Sequence, residues 1–195
     1  VELDAPILTE EARRAQFTNE GGIGGKITFL QNITGLWFLQ RLMAEWADEG
    51  DEQQYEPLLA AAERAEIQTV IPVDAPEFQN PKSMQQAIRG YCERQALDVP
   101  QTKADLTRVV LQSLAAKYAE ATQALNAMLP EPIKKLHIIG GGSQNKLLNR
   151  LTQQALGIPV EAGPVEATAI GNILTQALAK GEVADIHEMR SIAIL

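Results

Sequence analysis

The chain has 195 residues, of which 45% are hydrophobic, and its 17 basic and 25 acidic residues give a net charge of −8. This length suits one large domain, or a smaller domain with appendages, and the hydrophobic content supports a real core. The acidic balance argues against a nucleic-acid partner, and the apolar stretches, such as residues 33–39, are far shorter than the roughly 20 residues of a membrane span.

One cysteine, Cys92, and two histidines, His137 and His187, limit the chemistry open to this chain. A single cysteine cannot form an intrachain disulfide, and two histidines cannot build a histidine-rich metal site. The composition therefore predicts a reducing, cytoplasmic setting and no membrane partner, and no metal-ligating residue is assigned. The chain starts at Val1 without an initiator Met, which suggests a piece excised from a longer protein.

Residues 1–32 form a glycine-rich front segment, in which "GGIGG" places four glycines within five positions. The alternating residues that follow predict a short strand. Without the other domain, residues 21–29 are the candidate for poor order, association or a rearranged strand. Residues 33–46 carry apolar side chains at helical spacing, which predicts a helix with one large buried face.

Three further helices are predicted in the middle of the chain. Residues 57–65 begin with Pro57, whose missing N–H costs nothing in a first turn. Residues 71–81 hold three prolines and predict an extended connector. Residues 83–95 predict the next helix, and apolar residues spaced by three and four from Leu106 to Met128 predict a long helix that stops at Pro130.

The last third of the chain alternates strands and helices. "KKLHIIGGG" predicts a strand, residues 143–155 a helix, "GIPVEAG" a second strand, and residues 165–179 a helix closed by Gly181. Short loops between such elements predict parallel pairing of the strands. The chain as a whole is therefore predicted to be a helix-rich α/β protein with a partly parallel sheet.

The stretch "IIGGGSQN", residues 138–145, is the first candidate for a binding site. Glycines at the carboxyl end of a strand permit close approach of a ligand, and the following helix offers free N–H groups. Ser143 is predicted to be the N-cap of that helix, and Asn145 could direct its amide over the glycines. The pattern is neither G-x-G-x-x-G nor a Walker loop, so it favours ligand binding and a simple tight turn about equally.

A second glycine turn, "AGPVEATAIGN" at residues 162–172, follows the neighbouring strand. Ligands of open α/β sheets lie outside the carboxyl ends of the strands, so two turns side by side would form a floor for one. Gly171, farther along, is instead expected to let its helix pack closely on a neighbour.

The residues from "LHIIGGGSQNKLLNRL" to "AKGEV" resemble the C-terminal ATP-binding segment of the FGGY carbohydrate kinases. "FTNEGGIGGKITFLQNITGLWFLQRL" and "IRGYCERQ" resemble the branch of that family that acts on L-rhamnulose. The resemblance covers nearly the whole chain and implies that residues 1–195 are the C-terminal domain of a ribonuclease H-like, actin-like ATPase fold. It also implies ATP and Mg²⁺ as cofactors and transfer of the γ-phosphate to a ketose, giving L-rhamnulose 1-phosphate in rhamnose catabolism.

Four ATP-binding residues follow from this resemblance: Asn32 and Gln40 of "QNITGLWFLQ", Gly141 of "GGGSQN", and Asn145 at the position that lies near the adenine in relatives. Asn32 and Gln40 are eight residues apart, which is about 2.2 turns, so both amides would lie on one side of a shared helix. Such amides can bond ribose or phosphate oxygens without adding charge. From the residues alone, Asn32 is better explained as a helix N-cap and Gln40 as a solvated residue.

Two motifs of the family are missing from this chain: the "HDTASA"-like stretch with the catalytic aspartate and the "GTWSL"-like turn that holds the ATP phosphates. Both precede this region in the family order, as does the sugar-binding domain. No catalytic residue is assigned. The carboxylates Asp4, Glu20 and Asp74 lie in predicted loops, and none has a sequence context that would make it a substitute for the catalytic base. The chain is therefore expected to be inactive alone and to need the N-terminal domain of the same kinase as its partner.

Two alternatives stay open. The sugar could be another ketose, xylulose or fuculose, because sugar choice lies mainly in the absent domain. The chain could also be a non-catalytic, actin-like nucleotide-binding module or a structural piece. If ATP raises the melting temperature, the chain binds the nucleotide and is not merely a structural piece, because a ligand that binds only the native state stabilises it.

Overall fold

The computed structural model describes residues 1–194 and consists of two compact units, Val1–Ile133 and Lys134–Leu195. The first unit contains strands β1 (Glu2–Leu3), β2 (Phe17–Gly21) and β3 (Ile27–Gln31), and helices α1 (Glu10–Arg14), α2 (Trp37–Asp48), α3 (Tyr55–Arg64), α4 (Met84–Arg94) and α5 (Lys103–Met128). The second contains strands β4 (Leu136–Ile138) and β5 (Val160–Ala162), and helices α6 (Lys146–Leu156), α7 (Ala167–Lys180) and α8 (Ile186–Ile194). The prediction of a helix-rich α/β protein is confirmed.

The glycine-rich front segment forms a three-stranded antiparallel sheet in the order β1-β3-β2. Its glycines make the connection between β2 and β3, where Gly24 and Gly25 have φ values of 65° and 76° that glycine adopts without strain. Phe17 and Phe29 stack at 4.9 Å between ring centroids and are buried against α1 and α5. The predicted short strand is present as β3, and strand pairing and this aromatic contact organise the segment.

Helix α2 begins at Trp37, four residues later than the helix predicted from residue 33. Residues 32–36 continue from β3 without helical structure. The β-branched Ile33 and Thr34 and the following Gly35 are weak helix formers, which explains the late start. From Trp37 onward the prediction holds, since one face of the helix is buried in the core through Phe38, Leu39, Leu42 and Trp46.

Helix α1 was not predicted, whereas helices α3, α4 and α5 match the sequence pattern closely. Helix α4 begins after Ser83, whose hydroxyl accepts a hydrogen bond from the N–H of Gln86. Helix α5 opens with a capping box between Thr102 and Asp105. Pro57 lies in the first turn of α3, which starts two residues before it at Tyr55.

The proline-rich connector, residues 71–81, was predicted to be extended, but it is so only in part: the N–H of Ala75 donates to the carbonyl oxygen of Pro72 at 3.0 Å in one turn, and a short 3₁₀ turn follows at Pro76–Phe78. It does not act as a loose spacer, because Ile71, Val73 and Phe78 are buried. The N–H of Ile71 donates to the hydroxyl of Ser113 on α5 at 2.9 Å. The connector is thus part of the core of the first unit.

In the second unit, β4 and β5 pair in parallel, with His137 opposite Glu161. Helix α6 packs on β5 and buries Leu147, Leu148 and Leu151. Helix α7 ends at Gly181, whose φ of 75° makes the predicted left-handed C-cap. Helix α8, which the sequence pattern did not indicate, packs on α7 through Leu174, Val183 and Met189.

Candidate functional site

A glycine turn, residues 139–145, follows β4 and leads into α6. Gly140 has φ 74° and ψ −167°, a conformation open to glycine and unfavourable for residues with a side chain. Its carbonyl oxygen accepts hydrogen bonds from the N–H of Ser143 at 3.0 Å and from the Ser143 hydroxyl at 2.8 Å. A Cβ built on Gly141 would meet no atom within 4 Å. The turn is therefore fixed at Gly140 and accessible at Gly141.

Asn145, rather than the predicted Ser143, is the N-cap of α6. The Asn145 side chain is fully buried, and its Oδ1 accepts a hydrogen bond from the N–H of Leu148 at 2.9 Å. Ser143 cannot serve as the cap, because it lies in the 3₁₀ turn and its hydroxyl is bonded to Gly140. Four residues after the cap, Asn149 donates from its Nδ2 to the carbonyl oxygen of Ser143 at 2.8 Å. Helix α6 and the turn are thereby joined by amide side chains.

The two glycine turns lie side by side, as predicted. The N–H of Gly163 donates to the carbonyl oxygen of Ile138 at 2.7 Å, and the N–H of Gly140 donates to that of Pro164 at 3.0 Å. A Cβ on Gly163 would come within 2.9 Å of the Ile139 side chain, so this glycine permits close contact between the turns. Both turns stand at the carboxyl ends of parallel strands, where ligands bind in open α/β sheets.

The prediction for Gly171 was wrong. A Cβ on Gly171 in α7 would meet no atom within 4 Å, so this glycine does not serve close packing.

One exposed apolar side chain, Ile139, precedes the turn, and the charges of the neighbouring strands are largely paired. The Ile139 side chain is 58% exposed, although it belongs to the strand end that leads into the turn. On the strands, Lys135 Nζ lies 2.7 Å from Glu161 Oε1, and the hydrogen bond from this ammonium holds the pKa of Glu161 below its usual value. Lys146 opens α6 and is exposed. The residues next to the turn therefore offer an apolar side chain at one end and a cation at the other.

Asn32 and Gln40 belong to the first unit, whereas Gly141 and Asn145 belong to the second. Both amides of the first pair are exposed. Asn32 directly follows β3, and Gln40 lies in the first turn of α2, with its N–H bonded to the carbonyl oxygen of Leu36 at 3.0 Å. The argument that both share one helix was wrong, and so was the interpretation of Asn32 as an N-cap.

The sequence interpretation missed Asn149, Gly140 and Gly163 as residues that shape the site. A signal for Asn149 was present, since it follows Asn145 by four residues and so lies on the same face of a helix. Gly140 and Gly163 were part of the quoted glycine turns, but their separate roles depend on backbone conformation and on contact between the turns. Neither property can be deduced from local spacing.

Within residues 1–194, no group of three or more His, Cys, Asp and Glu side chains is arranged to hold a metal ion. No helix in this range has the length and apolar character to cross a membrane.

The model of the FGGY family of carbohydrate kinases, C-terminal domain, matches residues 1–180. The chain belongs to this family. The match includes both units up to the end of α7 and both glycine turns, so the fold and the candidate site fall within it.

Curated relatives carry the name rhamnulokinase. The protein from Bacteroides thetaiotaomicron is 45% identical over 193 residues, which are 98% of this chain and 39% of that protein. The rhamnulokinase of Pectobacterium carotovorum is 42% identical over 191 residues, 97% of this chain and 38% of that protein. That of Yersinia pestis is 39% identical over 191 residues, 98% of this chain and 39% of that protein. The chain thus spans about two-fifths of the length of the relatives it matches.

Proposed function

We propose that this chain is the nucleotide-binding C-terminal domain of a sugar kinase that transfers the γ-phosphate of ATP to L-rhamnulose. The two units would together form the C-terminal domain of a ribonuclease H-like, actin-like ATPase fold. The similarity to rhamnulokinases over 97–98% of the chain supports the sugar. The buried free thiol of Cys92 supports a reducing, cytoplasmic setting.

One structural observation carries the nucleotide proposal: an open glycine turn at the carboxyl end of a parallel strand. Gly141 leaves free space, and the first N–H groups of any helix have no partner within that helix, so they can bind an anionic or polar group. The exposed Ile139 offers an apolar surface to a base. These residues fit the nucleoside end of ATP, which when bound supplies the phosphoryl group. We propose that Mg²⁺ enters with the nucleotide, since this ion is commonly held by substrate phosphates and water.

The four predicted ATP residues enter this proposal on different grounds: Gly141 and Asn145 on their geometry, and Asn32 and Gln40 on the family resemblance. Gly141 permits close approach, and Asn145 acts as a positioning residue, because its buried amide caps α6 and holds the end of the turn. Asn32 and Gln40 are proposed as ATP contacts on the family resemblance alone. Each is tested by its own alanine variant, which should weaken ATP binding without lowering the melting temperature, because both side chains are exposed.

Calorimetric titration of the 195-residue chain with MgATP tests the nucleotide site directly. A Gly141→Val side chain would fill the open space, so the ATP dissociation constant should rise at least tenfold, a loss of about 1.4 kcal/mol. Gly21→Val is the matched control, because a Cβ on Gly21 also meets no atom within 4 Å and its φ is not positive. This control should bind ATP as the unaltered chain does.

Two results would count against the proposal. Equal ATP affinity of the Gly141→Val variant and the unaltered chain would remove the glycine turn from the nucleotide site. No heat of binding and no rise in melting temperature at saturating MgATP would favour a non-catalytic module without ligand affinity.

The sugar is tested on the complete natural polypeptide that carries this chain. ATP-dependent phosphorylation of L-rhamnulose, D-xylulose and L-fuculose should be fastest with L-rhamnulose, and the product should be the 1-phosphate. The 195-residue chain alone should be inactive, because it holds neither the aspartate stretch nor the phosphate turn of the family. Faster turnover of D-xylulose would assign another ketose, and turnover by the chain alone would refute the need for a partner domain.

A further inference from the structure

Residues 66–72 of the first unit, here called the edge segment, follow α3 and belong to neither of the two sheets of residues 1–194. Burial alternates along the segment. Thr69 and Ile71 are buried, whereas Gln68 is exposed and Val70 is 47% exposed. A burial period of two is typical of a strand with one face on the core. The edge segment is therefore an extended chain that has no strand partner in the described part of the molecule.

Side chains of α5 bind the backbone of the edge segment along one side. The N–H of Ile71 donates to the hydroxyl of Ser113 at 2.9 Å. The Nε2 of Gln112 donates to the carbonyl oxygens of Thr69 at 2.5 Å and Ile67 at 3.3 Å. Along an extended chain, the N–H and C=O groups of successive residues point to opposite sides. The bonds to α5 therefore use the odd-numbered residues, and the backbone groups of the even-numbered residues face the other side.

That other side is open at Gln68 and Val70. Within residues 1–194, neither the N–H nor the C=O of these two residues takes part in a hydrogen bond. The open stretch is bounded at both ends. The carbonyl oxygen of Glu66 accepts from the Gln68 side chain at 2.9 Å, and that of Pro72, which has no N–H, accepts from the N–H of Ala75 at 3.0 Å. Two free donors and two free acceptors on an extended, exposed backbone are the groups that bind an added strand.

The exposed side chains of the edge segment indicate the chemistry of a fitting peptide. Glu66 is the one charged residue of the segment, and its carboxylate takes part in no ion pair within residues 1–194. Side chains directly opposite each other on antiparallel strands have Cβ atoms about 4.5–5.5 Å apart. A lysine or arginine opposite Glu66 would therefore pair with it, and a β-branched residue opposite Val70 would pack on it. A second copy of the segment fits less well, because antiparallel self-pairing about Thr69 would set Pro72 opposite Glu66.

We propose that the edge segment binds an extended peptide as an added antiparallel strand. The peptide backbone exchanges hydrogen bonds with the N–H and C=O groups of Gln68 and Val70. A β-branched residue of the peptide lies opposite Val70, and a lysine or arginine four positions later lies opposite Glu66. This interaction surface goes beyond the proposed nucleotide site and does not depend on it.

The acetylated and amidated pentapeptide VTTTK is the probe, because its first, third and fifth residues would face Val70, Gln68 and Glu66. NMR titration of the 195-residue chain should show saturable shifts of the Gln68 and Val70 amides, with a dissociation constant on the order of millimolar. N-methylation of the third peptide residue removes a donor that faces the segment and should weaken binding about fivefold. N-methylation of the second residue, whose N–H points away, should leave the affinity unchanged. The peptide VTTTE should bind about two- to fivefold more weakly than VTTTK.

Glu66→Lys should reverse the preference, so that VTTTE binds more tightly than VTTTK. Glu52→Lys is the matched control, because Glu52 is an exposed carboxylate in the loop between α2 and α3, and it should keep the preference for VTTTK. Absence of saturable shifts, equal affinity of the two N-methylated peptides, or an unchanged preference in Glu66→Lys would overturn the proposal. Dimerisation of the chain, seen in sedimentation and abolished by Val70→Pro, would replace the peptide by a second copy. MgATP affinity should be the same with and without saturating VTTTK, so that failure of the nucleotide site and failure of this surface are told apart.

Discussion

Replacement of Asn145 by alanine should destabilise the second unit by about 2 kcal/mol. Loss of an N-cap side chain lowers the free energy of unfolding by about 0.5–2 kcal/mol, and the upper end applies where the N–H that loses its acceptor is buried. Asn145 is 0% exposed and Leu148, whose N–H it receives, is 2% exposed. Water therefore cannot replace the lost acceptor at 2.9 Å from this N–H.

Hydrogen exchange measured by mass spectrometry is the suitable assay, because a chain with two units need not unfold in one step. A loss of 2 kcal/mol should lower protection of the α6 amides by about 30-fold. Asn145→Ser keeps an oxygen acceptor, so protection of the α6 amides should fall less in this variant than in Asn145→Ala. Thr102→Ala, at the exposed N-cap of α5, should cost about 0.5–1 kcal/mol, measured on the α5 amides.

A change below about twofold in α6 protection for Asn145→Ala would refute the assignment of Asn145 as the structural cap of the turn. Equal losses for Asn145→Ala and Thr102→Ala would refute the argument from burial. If the cap also positions the nucleotide turn, the affinity for MgATP should fall in Asn145→Ala and recover in Asn145→Ser.

Three further predictions concern other parts of the chain. Gly140→Ala should lower stability by about 1–3 kcal/mol because of its φ of 74°, whereas Gly171→Ala, in open space within α7, should raise the melting temperature through a gain of about 0.5–1 kcal/mol. Burial raises the pKa of the Cys92 thiol, so a thiol reagent at pH 8 should label the native chain far more slowly than the chain in guanidinium; equal rates would contradict this. The hydrogen bond from the N–H of Glu188 holds the pKa of Asp185 below the usual value of an aspartate. The Asp185 carboxylate accepts hydrogen bonds at the start of α8, so it should stabilise this helix at neutral pH, and this stabilisation should be lost as the pH falls through the lowered pKa. NMR of the α8 amides should show this pH dependence in the unaltered chain and not in Asp185→Asn.

Much of the helical structure could be predicted from the sequence because its causes are local. Helix α4 begins after Ser83, which accepts a hydrogen bond from an N–H only three residues away. Helix α5 follows from a capping box and an apolar repeat within its own residues. The strand and helix order of the second unit, and the left-handed Gly181, depend on the same short-range rules.

The candidate site was predicted only in part for the same reason. Ser143 and Asn145 are both good N-cap residues, and the choice between them depends on the hydroxyl of Ser143 bonding to Gly140 instead. The contact between the two glycine turns joins residues that are more than twenty positions apart. Local spacing carries no information on the choice between the two caps or on the contact between the turns.

By itself, the sequence predicted helices α2 to α7, where most of them end, and that glycine turns follow β4 and β5. Only the tertiary structure decided that the front segment is a sheet, that α2 starts at Trp37 and that Asn145 is buried as a cap. It also set one side of the edge segment against Gln112 and Ser113 of α5. The physical reason is that helix period and capping act within a few residues, whereas strand pairing, burial and pockets depend on contacts between segments far apart in the chain.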